Sequence, residues 1–534
     1  MILKKVRTES VVFLLFALAN AYPVFSHHFF PTLDGPSHLY NAHTLKDLIF
    51  GNEFLSGFIQ LNHYPVPNWI GHFIMALSNV VFPAYISEKI LLLCYLIGLP
   101  FAFRYLIKSL SPNNYLLSYI IFPFCYTYMF LLGFYNFSLA LVLLFFTLGY
   151  WINIKDKLSF LKVFVLFLLI TATYFSHISV YAILGPMMFA LLFIDETSWV
   201  IKKEKTAATY FRSMAAKTAV IALGFSITAY WAFMLFLGKP AANIVYLPQS
   251  EMLRNIKVIE PIIGFIQQDE AAMTGKIFYV LLVLTLVVLF KRWMNLQMGF
   301  RFKATANLKG FIKAFDKTDA WIMFSGVMLL GYFVLPDSDG WAGYFSLRIL
   351  LLFFLFYIVW LALQNIPKFI LVIAIVIALF YNIKLIVFRD KVTASLNQTA
   401  MQCYNASNYM TNNSTVLTIN RSGNWLLGHF SKYLGVDKSI VVLDNNECDQ
   451  HYFPLIWNTE KIPGMVVDTS KMLNECFAVN QNSNGISQTI DYIFVMGLLD
   501  TAKNDCDKKM FNYLANHKLQ VYHNEFVWLY KNKK

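Results

Sequence analysis

Pro31-Thr32-Leu33-Asp34-Gly35-Pro36-Ser37-His38-Leu39-Tyr40-Asn41-Ala42 follows directly on the first long apolar segment, Val11 to Phe30. A carboxylate this close to the end of a membrane span is costly to bury in hydrocarbon and marks a functional candidate. Pro31, Gly35 and Pro36 punctuate a turn, and the run from Ser37 onward reads as helix. On that helix His38, Asn41 and Leu45 share one face, with Asp34 at the cap. A plain capping role for Asp34 is the competing reading.

The rest of the chain fixes the setting. Of its 534 residues 58% are hydrophobic and 17% aromatic, and only 14% are charged; mean hydropathy is +0.54. No soluble core could hide so much apolar surface. Apolar runs long enough to cross a bilayer recur throughout, which defines a polytopic membrane protein. The net charge of +13 does not indicate nucleic acid, because the basic residues gather in particular loops in the positive-inside pattern. Lys4, Lys5 and Arg7 precede the first apolar run, and Phe29-Phe30-Pro31 at its end lacks the small residues of a cleavage site. An uncleaved first span with a cytoplasmic N-terminus follows.

Eleven spans are expected, at about 10–30, 88–107, 115–132, 134–153, 158–175, 178–194, 215–237, 273–290, 319–336, 344–363 and 367–388. With that count Arg104, Lys108, Lys155, Lys157, the basic loop around Lys202 and the loop from Lys291 to Lys317 all fall inside. Counting the apolar stretch 67–82 as a twelfth span would reverse them. It reads instead as a helix on the outer leaflet, with Ile70, Ile74, Leu77 and Val81 as an apolar stripe and Asn68, His72 and Asn79 on another face. The polar clusters then converge on the outer side: Asp34 and His38, Asn136, His177, the 239–272 loop, and Asp337 with Asp339.

Composition shifts after Phe388. Residues 391–534 are polar enough for a small soluble α/β domain, placed outside the membrane by span parity. Thr415 to Ile419, Ser439 to Asp444 and Asp491 to Met496 read as strands, and the segments 519–522 and 526–530 as a closing hairpin. Cys403, Cys448, Cys476 and Cys506 all lie there, an even number in a compartment where disulfides persist, so bridges among them are expected. Cys94 and Cys125 sit in apolar spans.

A first span followed at once by a long outer loop with an early acid resembles the GT-C class of polytopic glycosyltransferases, which take a sugar from a polyprenyl phosphate or pyrophosphate. The resemblance covers residues 1–390 in architecture, with outer juxtamembrane helices at about 37–50 and 67–82, and the motif from Leu33 to Ala42 looks like the class's first-loop acidic motif. It implies an all-α polytopic membrane domain followed by an extracytoplasmic α/β domain, in the inner (plasma) membrane. It implies that Asp34 is the catalytic base or a ligand for a divalent metal such as Mg or Mn, with His38 as a second acid/base group. Substrate contacts would come from Asn41, Tyr135, Asn136, His177 and Arg348, with the lipid-linked sugar and membrane lipids as partners. The second outer turn, Leu132 to Phe137, carries no acid, which argues against a metal. Arg348 lies four residues into a span that is otherwise uncharged through Gln364, where arginine must snorkel or find a partner. Two other readings compete with transfer: a flippase for a lipid-linked glycan, and a non-catalytic envelope-assembly protein. A carrier would show internal repeats and charges deep in its spans; this sequence has neither.

Overall fold

Long apolar runs without internal breakers satisfy their backbone groups as helices, and that logic governs most of the chain. The computed structural model describes residues 2–201, 206–237, 243–300, 317–340, 343–458, 490–497 and 505–533, without the side chains of 2–7, 200, 201, 236, 295–300, 317, 505–507 and 509. Lys202, Lys203, Lys205, Lys239, most of the basic 291–317 loop and Cys476 lie outside the described residues. Seven described helices are long and apolar enough to cross a membrane: Ala84–Leu110, Tyr135–Ile154, Ile178–Trp199, Ala207–Leu235, Gln267–Met294, Phe345–Ala362 and Lys368–Tyr409. Shorter apolar helices at Thr8–Asn20, Tyr115–Phe124, Phe160–Ser176 and Ala320–Val334 stand at the other four expected spans. The chain is a multi-pass membrane protein.

Two expectations need correction here. The stretch 115–132 is not one continuous span: Tyr115–Phe124 is a 3₁₀ helix containing Pro123, followed by a single turn at Tyr128–Leu131. Proline removes a backbone donor and crowds the preceding turn, and ten residues of 3₁₀ helix reach only about 20 Å. The first helix ends at Asn20, short of Phe30. The stretch at Ile70–Ser78 forms only a nine-residue helix, too short to span.

The chain divides into two compact units. The first comprises Met1–Tyr22, Cys94–Leu131 and Phe137–Arg389. Its most enclosed long helix is Phe345–Ala362, 78% buried, whereas Ala207–Leu235 is only 17% buried and exposes Phe211, Leu223, Tyr230 and Phe233. Such apolar exposure suits lipid contact. The expected outer-loop acids Glu260 and Glu270 have structural partners. Glu270 accepts the backbone N–H groups of Gly264 and Phe265 at 3.0 and 2.7 Å and pairs with the buried Arg389 at 2.7 Å. Glu260 accepts from Gln267 Nε2 at 2.7 Å.

The second unit joins Pro23–Leu93 and Leu132–Asn136 to Asp390–Lys534. It therefore starts well before residue 391, and the helix Lys368–Ala406 runs through that expected boundary without a break. Its five-stranded sheet has the order β3-β2-β5-β7-β6, formed by Ile440–Val442 (β3), Ser414–Asn420 (β2), Tyr492–Met496 (β5), Val527–Asn532 (β7) and Lys518–His523 (β6). The first three strands are parallel and the last two antiparallel. A second, two-stranded sheet pairs β1 (Ile59–Leu61) with β4 (Leu455–Trp457).

The helix Gly35–Ile49 is stitched to the edge of the larger sheet by one residue. Tyr40 Oη donates to the carbonyl of Ile440 at 2.9 Å and accepts from the N–H of Val442 at 3.2 Å. A side chain at Gly435 would meet the Tyr40 ring at 2.6 Å, so only glycine permits that approach. Cys403 and Cys448 are buried free thiols: Cys448 Sγ accepts from Asn445 Nδ2 at 3.0 Å, and Cys403 Sγ lies 3.7 Å from Met496 Sδ. The bridges expected of these two are not formed; packing in the unit's interior holds each against a different neighbour.

Candidate functional site

Asp34 occupies the position before the helix Gly35–Ile49, yet its side chain makes no capping hydrogen bond. Thr32 Oγ1 accepts the Gly35 N–H instead, at 3.0 Å. The carboxylate is thus released from the capping role. Two features fix its position. Its own N–H donates to the Leu132 carbonyl at 3.0 Å. Gly133, at φ +88°, passes so close that a Cβ there would sit 2.8 Å from the Asp34 nitrogen. Tyr135 belongs to the same turn, and its hydroxyl bonds Thr32 Oγ1 at 2.9 Å and donates to Glu88 Oε1 at 3.0 Å.

Asp34 keeps 26% of its side chain open, and His429 Nε2 stands 3.4 Å from its Oδ1. Burial pushes the Asp34 carboxyl up to about 7, with His38 opposing and Glu447 adding to the rise. Burial lowers His429 to about 4, helped by the Lys432 charge. Near neutrality a neutral imidazole therefore faces a carboxyl that can either hold or accept a proton, the condition for acid–base work.

One turn further on, the helix presents His38 and Asn41 to a residue from the far end of the chain. His38 Nδ1 is 2.9 Å from Glu447 Oε1, and Asn41 Nδ2 donates to Glu447 Oε2 at 2.7 Å. His72, on the helix Ile70–Ser78, brings Nε2 to 3.2 Å from the same Oε2. These three side chains are buried, with 6%, 9% and 1% of the surface of His38, Glu447 and His72 exposed. Burial alone would raise Glu447, but the charge of His38 beside it and the contact with His72 hold it well below the usual carboxylate range. Burial works against the charged form of His38, and the Glu447 carboxylate outweighs it, so its pKa rises. The ligand atoms of His38, His72 and Glu447 all lie within 4.8 Å of one another, a group that could hold a metal ion and that does not include Asp34.

Asn136, expected to touch substrate, is engaged with backbone here. Its Oδ1 accepts the Gly71 N–H at 2.7 Å and its Nδ2 donates to the Asn68 carbonyl at 3.1 Å, so it clamps the start of the helix that carries His72. Asp34, His38, Asn41, Tyr135 and Asn136 thus fall together in the second unit. His177 and Arg348 belong to the first. There the Phe137 ring neighbours both, 5.2 Å from the His177 ring and 5.6 Å from the Arg348 guanidinium carbon. His177 Nδ1 bonds Ser179 Oγ at 2.8 Å. Asp337 accepts the Ser346 N–H at 3.2 Å, at the start of the Arg348 helix.

Sequence reasoning missed Glu447, His429 and the burial of His72. Only His72 left a trace, as a polar residue opposite an apolar stripe.

The membrane helices and the terminal sheet have the GT-C fold. The chain is similar in fold to the crystal structure of ArnT from Cupriavidus metallidurans bound to undecaprenyl phosphate, with a TM-score of 0.51 over 98% of both chains and 9% sequence identity. No family model matches the sequence, and no curated protein matches it.

Proposed function

We propose that this protein is a membrane glycosyltransferase that moves a sugar from a polyprenyl-phosphate-type lipid to a hydroxyl acceptor on a glycan, lipid or protein, at the outer face of the inner membrane. The observation that carries this reading is the end-to-end likeness to a structure that holds undecaprenyl phosphate. The local support is an acid, Asp34, freed from capping and partly open.

In the transfer, the acceptor oxygen forms a bond to the anomeric carbon as the bond from that carbon to the lipid phosphate oxygen breaks. The phosphate leaves with the electron pair, and attack from the opposite face inverts the centre. Asp34 takes the acceptor proton; a hydroxyl is a poor nucleophile until that proton has a destination. Arg348 is the proposed contact for the donor phosphate, since a planar guanidinium gives two parallel charge-assisted bonds to phosphate oxygens and stabilises the charge that develops there.

Glycan profiling of a deletion strain, complemented with wild type or with Asp34→Asn, tests the reading. The deletion should lose one glycan modification that wild type restores. Membrane-inserted Asp34→Asn should transfer about 10²-fold more slowly or worse, the usual contribution of a general base. An unchanged profile in the deletion strain refutes the activity, and wild-type turnover in the variant refutes the role of Asp34.

A further inference from the structure

His38, His72 and Glu447 bring their polar atoms together in one buried cluster, and protein hydrogen bonds account for only part of it. His72 Nδ1 lies 3.1 Å from the carbonyl oxygen of Asn68. A carbonyl only accepts, so Nδ1 carries a proton, and Nε2 meets Glu447 Oε2 at 3.2 Å. The His38 ring bonds the Gly133 backbone and points Nδ1 at Glu447 Oε1. Those two atoms are 2.9 Å apart, yet both are buried without a hydrogen-bond partner. Two imidazole nitrogens and two carboxylate oxygens thus converge among buried side chains. Buried polar atoms are rarely left unmatched.

We propose that His38, His72 and Glu447 bind a late first-row divalent cation of the zinc type, with an open fourth position. The ligand atoms need to part by only a few tenths of an ångström to admit it. Zinc bonds of about 2.0–2.2 Å set tetrahedral ligand atoms about 3.3–3.6 Å apart, against the 2.9 and 3.2 Å seen for the closest pairs and the 4.8 Å limit for the group. The donor set selects the metal: two imidazoles and one carboxylate match three-ligand zinc sites, whereas Mg and Mn prefer oxygen-rich sets.

The surroundings match as well. Each ligand has an outer partner of the kind that orients metal ligands: Asn68 for His72, Gly133 for His38, and Asn41 for Glu447. The Phe453 ring stands about the same distance from both imidazoles, 6.0 and 5.9 Å, as an apolar wall. Bound there, the cation would join the helix Gly35–Ile49, the helix Ile70–Ser78 and the turn after β3. Asp34 stays outside the ligand set, available for the proton.

The test is elemental analysis of the full-length protein in detergent, equilibrated with zinc and freed of excess metal. It does not depend on transfer activity. About one zinc per chain is expected in wild type, and zinc should raise the thermal transition. H72A should hold none, and H72C should regain it because a thiolate is a zinc ligand. N41A should keep the stoichiometry with an affinity about 10–100-fold weaker in chelator competition. Folded wild type that stays metal-free at saturating zinc, its transition unmoved, would mean that the triad is held by protons alone and would overturn the proposal. So would H72A protein that retains the wild-type zinc content.

Discussion

Asn136→Ala separates two roles that the sequence alone assigns differently. If Asn136 contacts substrate, its loss raises KM and leaves the fold alone. The structure gives its amide two backbone partners, the Gly71 N–H at 2.7 Å and the Asn68 carbonyl at 3.1 Å. Alanine strands the buried Gly71 N–H, at a cost of about 1–3 kcal/mol. The Asn68 carbonyl suffers less, because His72 Nδ1 still donates to it. For a folded unit of this size each kcal/mol moves the transition by about 2–4 °C, so the expected fall is about 2–12 °C. Scanning fluorimetry of tryptophan emission in detergent would read it. Asn136→Asp is the internal control: it keeps the acceptor for Gly71 but sets a carboxylate oxygen against the Asn68 carbonyl, so it too should destabilise. A raised KM with an unmoved transition in both variants would refute the clamp and restore the substrate role.

Arg348→Ala should weaken donor binding and turnover together, and Arg348→Lys should recover only part of each, because lysine lacks the planar fork. If lysine equals arginine and alanine lowers expression instead of specific activity, the residue only reaches for headgroups. Lys432 is fully buried, 2.7 Å from Asp444 Oδ1, and donates to the Asp444 carbonyl at 2.9 Å. Removing one partner of such a pair costs about 3–5 kcal/mol, so Lys432→Met should lower the unfolding transition markedly, with Asp444→Asn added behind it recovering part. Burial alone would raise Asp444, but Lys432 holds it below its ordinary value. The stability this pair supplies is therefore present above the unfolded carboxylate's pKa and is lost as pH falls through the lower folded value. The gap between wild type and Lys432→Met should shrink over that descent; a gap that widens in acid would refute the pairing.

The spans were legible because apolar length is a property each segment carries by itself. The break at Pro123 was legible in principle, since proline removes a backbone donor, but the apolar run hid it. The Asp34 turn stood out by residue type and position. Glu447 did not: it sits in Asn445-Asn446-Glu447-Cys448-Asp449, a polar run that reads as an ordinary turn, and nothing local points to histidines some 400 residues earlier. His72 was visible but assigned to the wet face. The helix Ile70–Ser78 instead exposes Phe73 and Leu77 and buries His72 with Met75. The polar side of this helix meets Glu447 in place of water, and its apolar residues are the ones left exposed.

The partnership between the first loop and the last domain also sets an order of events during synthesis. Asn41 and Glu447 are 406 residues apart, and at about 5–20 residues per second the carboxylate is made about 20–80 s after the helix that needs it. Throughout that interval His38, His72 and the Tyr40 hydroxyl have no sheet and no carboxylate to meet, while every intervening span is being inserted. Any chain that stops before β3 leaves the first loop permanently in that waiting state. A quality-control protease that recognises the uncovered loop would thereby report on whether the ribosome reached the end of the message.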